Sequence, residues 1–168
     1  FKYQRPFQNF NVVFTTLPLA AAVECKAGRM FCFHGGLSPR IDLVESIQFV
    51  PRTLYEGGMF EEQIVDGLLW SDPGEKAWFH GNARGCGFLF GPEATKQFLT
   101  SNKFDFIVRA HQLQMNGWAW EHDNKVLTIF SAPNYCGING NKGGILIISG
   151  SQESLAPDTL TLVNYDSV

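Results

Sequence analysis

The sequence predicts a mixed α/β or α+β sheet core in one domain, on three observations. Short apolar runs rich in Phe, Val and Ile alternate with segments of helical spacing, so strands and helices are interleaved. Two such runs, Phe31-Cys32-Phe33-His34 and Phe104-Asp105-Phe106-Ile107-Val108-Arg109-Ala110-His111, break off at a histidine, as buried strands do where they open into the crevice of a sheet. The chain has 168 residues, 45% of them hydrophobic, enough for one domain with a real core.

Gln8 to Thr16 is aromatic and apolar at near-helical spacing and predicts a short helix ending before Pro18. Leu19 to Cys25 and Arg29 to His34 read as two strands of a hairpin, joined at Lys26-Ala27-Gly28. Asp42 to Phe49 is expected to be helical and Thr53 to Gly67 irregular. Leu68-Leu69-Trp70-Ser71-Asp72-Pro73 carries an apolar run into a loop, and the glycine-rich stretch from Glu75 to Gly91 is expected to wind over a surface. Pro92 to Asn102 reads as a helix, with Pro at its start and Asn at its end. Phe104 to Ala110 is a buried strand. Trp118 to Glu121 and Lys125 to Phe130 flank Asp123-Asn124, a hairpin signal. Ser131 to Gly144 is a long polar loop, and Gly144 to Ser149 and Thr159 to Tyr165 are late strands.

Composition narrows the function. Charged residues make up only 17% of the chain, the formal net charge is −3, and no basic cluster stands out along it. Nucleic acid is therefore not an expected partner, nor is an anionic membrane surface. No run approaches the ~18 apolar residues of a membrane span. Phe14 to Val23 lacks a signal-peptide layout, because Thr15, Thr16 and Pro18 interrupt it. Cys25, Cys32, Cys86 and Cys136 show no C-x-x-C spacing, which favours free thiols in a reducing compartment over a zinc cluster. The first residue is Phe, not Met, so the chain is expected to be a piece of something longer.

Individually, the candidate residues leave bland readings open. His34 precedes Gly35-Gly36, which lets backbone pass close to a ligand or metal, or simply makes a tight turn around a core histidine. His111 is either a metal ligand or a histidine satisfied by a carbonyl. Arg109 beside it orients a carboxylate or is a plain surface charge. Arg84, between flexible residues in Asn82-Ala83-Arg84-Gly85, is placed to fork onto phosphate or carboxylate, or is a solvated loop arginine. Tyr135 and Cys136 either line a site or pack a loop.

Taken together, the runs are specific. His-Gly-Gly-Leu-Ser-Pro at 34–39, Leu-Leu-Trp-Ser-Asp-Pro at 68–73, Arg-Gly at 84–85 ahead of Phe88-Leu89-Phe90-Gly91, Arg-Ala-His-Gln at 109–112 and Ser-Ala-Pro-Asn-Tyr-Cys at 131–136 appear in order. This pattern resembles the metal-dependent serine/threonine phosphoprotein phosphatases, and within them most resembles the type 2A catalytic subunit group. The resemblance spans roughly residues 7–149, with 150–168 a divergent tail. It implies that 1–168 is the C-terminal portion of a single phosphatase catalytic domain. The implied fold is a partial calcineurin-like metallophosphoesterase: a two-sheet β-sandwich flanked by helices and lacking its N-terminal half.

The resemblance also implies chemistry. Two divalent ions, manganese or iron with zinc possible, activate a water that attacks phosphoserine or phosphothreonine esters. His34 and His111 match two ligands of one metal, and Arg84 matches an arginine that clamps the phosphate. Tyr135 matches a tyrosine overlooking the site, Cys136 a neighbouring cysteine, and Asp72 a supporting acid. Phosphoprotein substrates, regulatory or scaffold subunits and a cytoplasmic or nuclear location follow by the same resemblance. The departure is at the start. The family's aspartate, asparagine and histidine motifs precede His-Gly-Gly, yet the only carboxylate before His34 is Glu24, and no histidine lies there. The general-acid histidine is thus expected upstream, with no catalytic residue in this chain and no hydrolysis by these residues alone. The alternative is a catalytically inactive binding or decoy module that keeps phosphatase surfaces. His80, close to Arg84, reads as an exposed loop histidine.

Overall fold

In the computed structural model, which describes residues 4–51 and 58–167, a five-stranded sheet divides the chain into two packed layers. The strands are β1 (Ala20–Cys25), β2 (Gly28–Phe33), β6 (Phe106–Arg109), β7 (Trp118–Glu121) and β8 (Val126–Ile129), in the order β1-β2-β6-β8-β7. The central three run parallel, while β1 and β7 pair antiparallel at the flanks through the two hairpins the sequence predicts.

Alternation explains why the central strands read as continuous apolar runs. Phe31, Phe33, Ile107 and Val126 point to one face, into a core with Leu37, Ile64, Leu68, Phe90 and Phe98. Met30, Phe106 and Leu127 point to the other, where Leu155 and Leu160 cover them. A strand buried on both faces has no polar alternate positions. The helices α2 (Met59–Trp70) and α3 (Pro92–Asn102) close the first face. The second is covered by an antiparallel pair, β9 (Gly143–Ile147) and β10 (Thr161–Tyr165). This is the two-sheet, helix-flanked architecture of the predicted class.

Helix α3 has the predicted bounds. Its left-handed cap is Lys103 (φ 57°), not Asn102. Asn102 is instead buried, donating to the Asp42 and Phe98 carbonyls and accepting from Val44 N–H. The expected helix over Asp42 to Phe49 is a 3-10 turn, Val44–Phe49. Helix α1 (Gln4–Phe14) also forms, yet Phe7, Phe10 and Phe14 on it are largely exposed.

Two expectations are corrected. Part of the stretch expected to be irregular is helix α2; positions 53–57 of it lie outside the described residues. Gly58 and Gly67 argued against a helix, but Gly58 is the N-cap, with its N–H held by the Glu61 carboxylate. Gly67 lies where a Cβ would press on Ser38. The stretch from Glu75 to Gly91 is not only surface loop: β4 (Phe79–Gly81) and β5 (Phe88–Phe90) join β3 (Asp72–Pro73) in a small sheet ordered β3-β5-β4.

Candidate active site

Parallel strands bring both histidines to one edge, since β2 and β6 are neighbours and His34 and His111 follow their C-terminal ends. After His34 the chain descends onto the last turn of α2, with Gly35 N–H donating to Leu68 O (2.6 Å) and Gly36 N–H to Gly67 O (2.9 Å). A Cβ on Gly35 would collide with the Leu69 and Trp70 backbone, and one on Gly36 with the Phe90 ring. The close approach is therefore to α2 backbone at Gly35 and to the Phe90 and Ser71 side chains at Gly36.

His111 turns off β6 at φ 58°, a left-handed conformation that costs a non-glycine residue on the order of 1–3 kcal/mol. Ala110 N–H ties that corner to His34 O at 3.1 Å. The rings meet with His34 Nε2 and His111 Nδ1 3.1 Å apart, and Trp70 stands edge-on to His111. Burial lowers the pKa of both, aided at His34 by the Arg109 charge. At His111, burial and then the charges of Arg84 and Arg109 outweigh the opposing pull of Asp72 and take the ring down to about 4. Both imidazoles are thus neutral near pH 7, the form that binds metal.

This pair fits part of a metal's coordination shell. Two imidazole nitrogens held at right angles about 2.1 Å from one ion lie about 3 Å apart, close to the separation here. The remaining donors do not assemble: among the described residues no group of three or more His, Cys, Asp or Glu converges. The buried Nε2 of His111 also lacks a partner among them.

Behind the histidines lies a buried ion pair. Arg109 is fully buried, and its guanidinium donates to Gly35 O (2.6 Å), Gln112 Oε1 (2.9 Å), Ser71 O (3.0 Å) and Asp72 Oδ1 (2.9 Å). Of its two sequence readings, carboxylate orientation is the correct one. Burial lowers Arg109 to about 10, partly offset by Asp72, so it stays charged. Burial alone would raise Asp72, but hydrogen bonds from Arg84 and Asn82 and the Arg109 charge hold its carboxyl below the usual range. The other oxygen of Asp72 accepts Arg84 Nε at 2.6 Å. Arg84 borders the cleft, and among the described residues its side chain is hydrogen-bonded through Nε. One carboxylate therefore links the strap under the histidines to the arginine beside them.

The cleft, about 880 Å³, is lined by His34, Trp70, Arg84, His111, Gln112 and Tyr135, among others. Tyr135 overhangs it on a 3-10 turn, Tyr135–Gly137, entered through Asn134 in the left-handed region. Asn141 staples that loop: it is buried, accepts Tyr135 N–H and donates to Ala132 O. Four of the six expected site residues thus border one cleft, and Asp72 sits behind it. Cys136 lies exposed beside Tyr135 but is not among the lining residues. His80 is exposed on β4. Asn141, and Asn139 which also lines the cleft, escaped sequence reasoning; their only signal was asparagine in a glycine-containing loop.

Paired neutral imidazoles, an arginine held through its Nε and a supporting carboxylate thus meet at the C-terminal end of a parallel sheet. The calcineurin-like phosphoesterase pattern matches residues 1–115, so the chain belongs to that family. It also resembles a solved structure described as a protein serine/threonine phosphatase from Saccharomyces cerevisiae with similarity to human phosphatase PP5, at 32% identity and a TM-score of 0.78. That likeness covers 98% of this chain but 52% of the yeast one, so the chain spans about half of that relative's length.

Proposed function

We propose that this chain is the C-terminal portion of a protein serine/threonine phosphatase domain that hydrolyses phosphoserine and phosphothreonine esters. The observation that carries the reading is the 3.1 Å approach of His34 Nε2 to His111 Nδ1 in the cleft that Arg84 borders. Two divalent ions, manganese or iron with zinc as a further candidate, would neutralise phosphate charge and lower the pKa of the attacking water. Within this chain, His34 and His111 would hold one of them as neutral ligands. Arg84 forks its Nη groups onto the phosphate while Asp72 holds its Nε. Arg109 keeps Asp72 ionised and sets the Gly35 carbonyl beside His34. Tyr135 borders the phosphate pocket. Regulatory or scaffold subunits choose phosphoprotein substrates, and the enzyme acts in the cytosol or nucleus.

Two neutral imidazoles do not balance two dications, which need anionic oxygen donors. The 168 residues by themselves are therefore inactive, and the general-acid histidine and remaining ligands come from the preceding half of the domain. The exposed phenylalanines of α1 are apolar surface for that half to cover. The test is to assay the purified chain with manganese on a phosphothreonine peptide, alone and then joined to the coding sequence upstream of Phe1. Inactivity alone and activity when joined are expected. Manganese-dependent turnover by the 168 residues alone, abolished by His111→Ala, refutes the division of labour. An upstream sequence without aspartate and histidine motifs favours the inactive binding module instead.

A further inference from the structure

At the end of the sheet opposite the histidines, α3 and the entrances to β6 and β8 enclose a groove of about 420 Å³. Its rim carries Lys96, Lys103 and Lys125, and its floor is Leu99 and Phe104, only 5% and 6% exposed. Phe104 and Lys125 lie just before β6 and β8, whereas His111 lies just after β6. Six extended residues at about 3.3 Å each put the groove roughly 20 Å from the cleft.

Three facts set these lysines apart from an ordinary solvated face. None has a carboxylate within 4 Å among the described residues, in a chain whose net charge is −3. Lys96 lies before the last turn of α3, so the helix's C-terminal dipole does not account for it. The one acid on the rim, Asp105, already accepts Arg29 N–H (2.8 Å), and Lys125 reaches only its backbone oxygen (3.4 Å). Lys96 and Lys103 stand two turns apart on α3 and its cap, and the fold brings Lys125, just ahead of β8, to join them.

We infer that this groove is a docking site for an acidic peptide segment of a partner or substrate protein, remote from the phosphoester site. An extended segment laid over the recessed floor sets carboxylate or phosphate groups against the three ammonium groups. The recessed apolar floor suits a narrow peptide better than a flat anionic bilayer or a duplex, neither of which presents a side chain to fill it.

The experiment uses the 168-residue chain and a fluorescein-labelled twelve-residue peptide of six glutamates, four serines and two leucines, followed by fluorescence anisotropy. Binding is expected, with each Lys→Ala change weakening it by about two- to fivefold and the triple Lys96→Glu/Lys103→Glu/Lys125→Glu change by more than about thirtyfold. The expected loss counts when circular dichroism shows the triple variant folded; an unfolded variant is replaced by the triple Lys→Gln one. Affinity unchanged in the folded variant, or equal for a peptide with glutamine in place of glutamate, overturns the inference. So does tighter capture by phosphatidylserine vesicles or duplex RNA than by the peptide.

Discussion

Truncating Asp72 to alanine is the sharpest perturbation of the buried network. Asp72 and Arg109 are 3% and 1% exposed, and the carboxylate is the anion hydrogen-bonded to that guanidinium. Removing it leaves a guanidinium, a group that does not give up its proton inside proteins, buried without its carboxylate. An uncompensated buried charge of this kind costs about 3–5 kcal/mol. The lost bond to the partly exposed Arg84 adds at most about 1 kcal/mol. Against a typical domain stability of about 5–15 kcal/mol, Asp72→Ala should leave the chain folded but marginal. Arg109→Met frees the Gly35 and Ser71 carbonyls and is also destabilising. The double variant removes both charges, so its loss should fall short of the sum of the singles by about 1–3 kcal/mol. Urea unfolding followed by far-UV circular dichroism measures all three. If Asp72→Ala costs less than about 1 kcal/mol, or the two changes simply add, the buried-pair argument is wrong.

Other outcomes follow from the same geometry. Folded His111 titrates near 4, below the ordinary 6.5, so the unfolded chain binds more protons between these values. His111 thus contributes stability above about pH 6.5 that is lost as pH falls toward 4, and melts across that range should show a shallower slope for His111→Gln. Gly36→Ala pushes a Cβ into the Phe90 ring and should cost about 1–3 kcal/mol in urea unfolding. With Phe10 and Phe14 exposed on α1, Phe10→Ser/Phe14→Ser should lower self-association of the chain in sedimentation velocity, and unchanged association would place the sticky surface elsewhere.

Legibility tracked how local each signal is. Helix α3 was readable because Pro92 starts it and Asn102 ends it, and both hairpins because turn residues interrupt strong strand runs. Helix α2 was not, because Gly58 and Gly67 look like breakers until the Glu61 cap and the Ser38 contact are seen. The strands β4 and β5 are three residues each, too short for any periodicity to register. The site divided the same way. His34, His111, Arg84 and Tyr135 were marked by the runs that hold them, whereas Asn141 carried only a loop's composition.

By itself, then, the sequence determined the family and the alternation of strands and helices, since both lie in contiguous runs. Tertiary structure decided what the side chains meet: that two imidazoles 77 positions apart stand at hydrogen-bond distance, and that Arg109 is a buried strut rather than a surface charge. It also brought Lys125 to the groove that Lys96 and Lys103 of α3 and its cap border. The physical reason is common to all three. Local patterning depends on neighbours in the chain, but burial, charge pairing and ligand geometry depend on atoms that only sheet register and helix packing bring together.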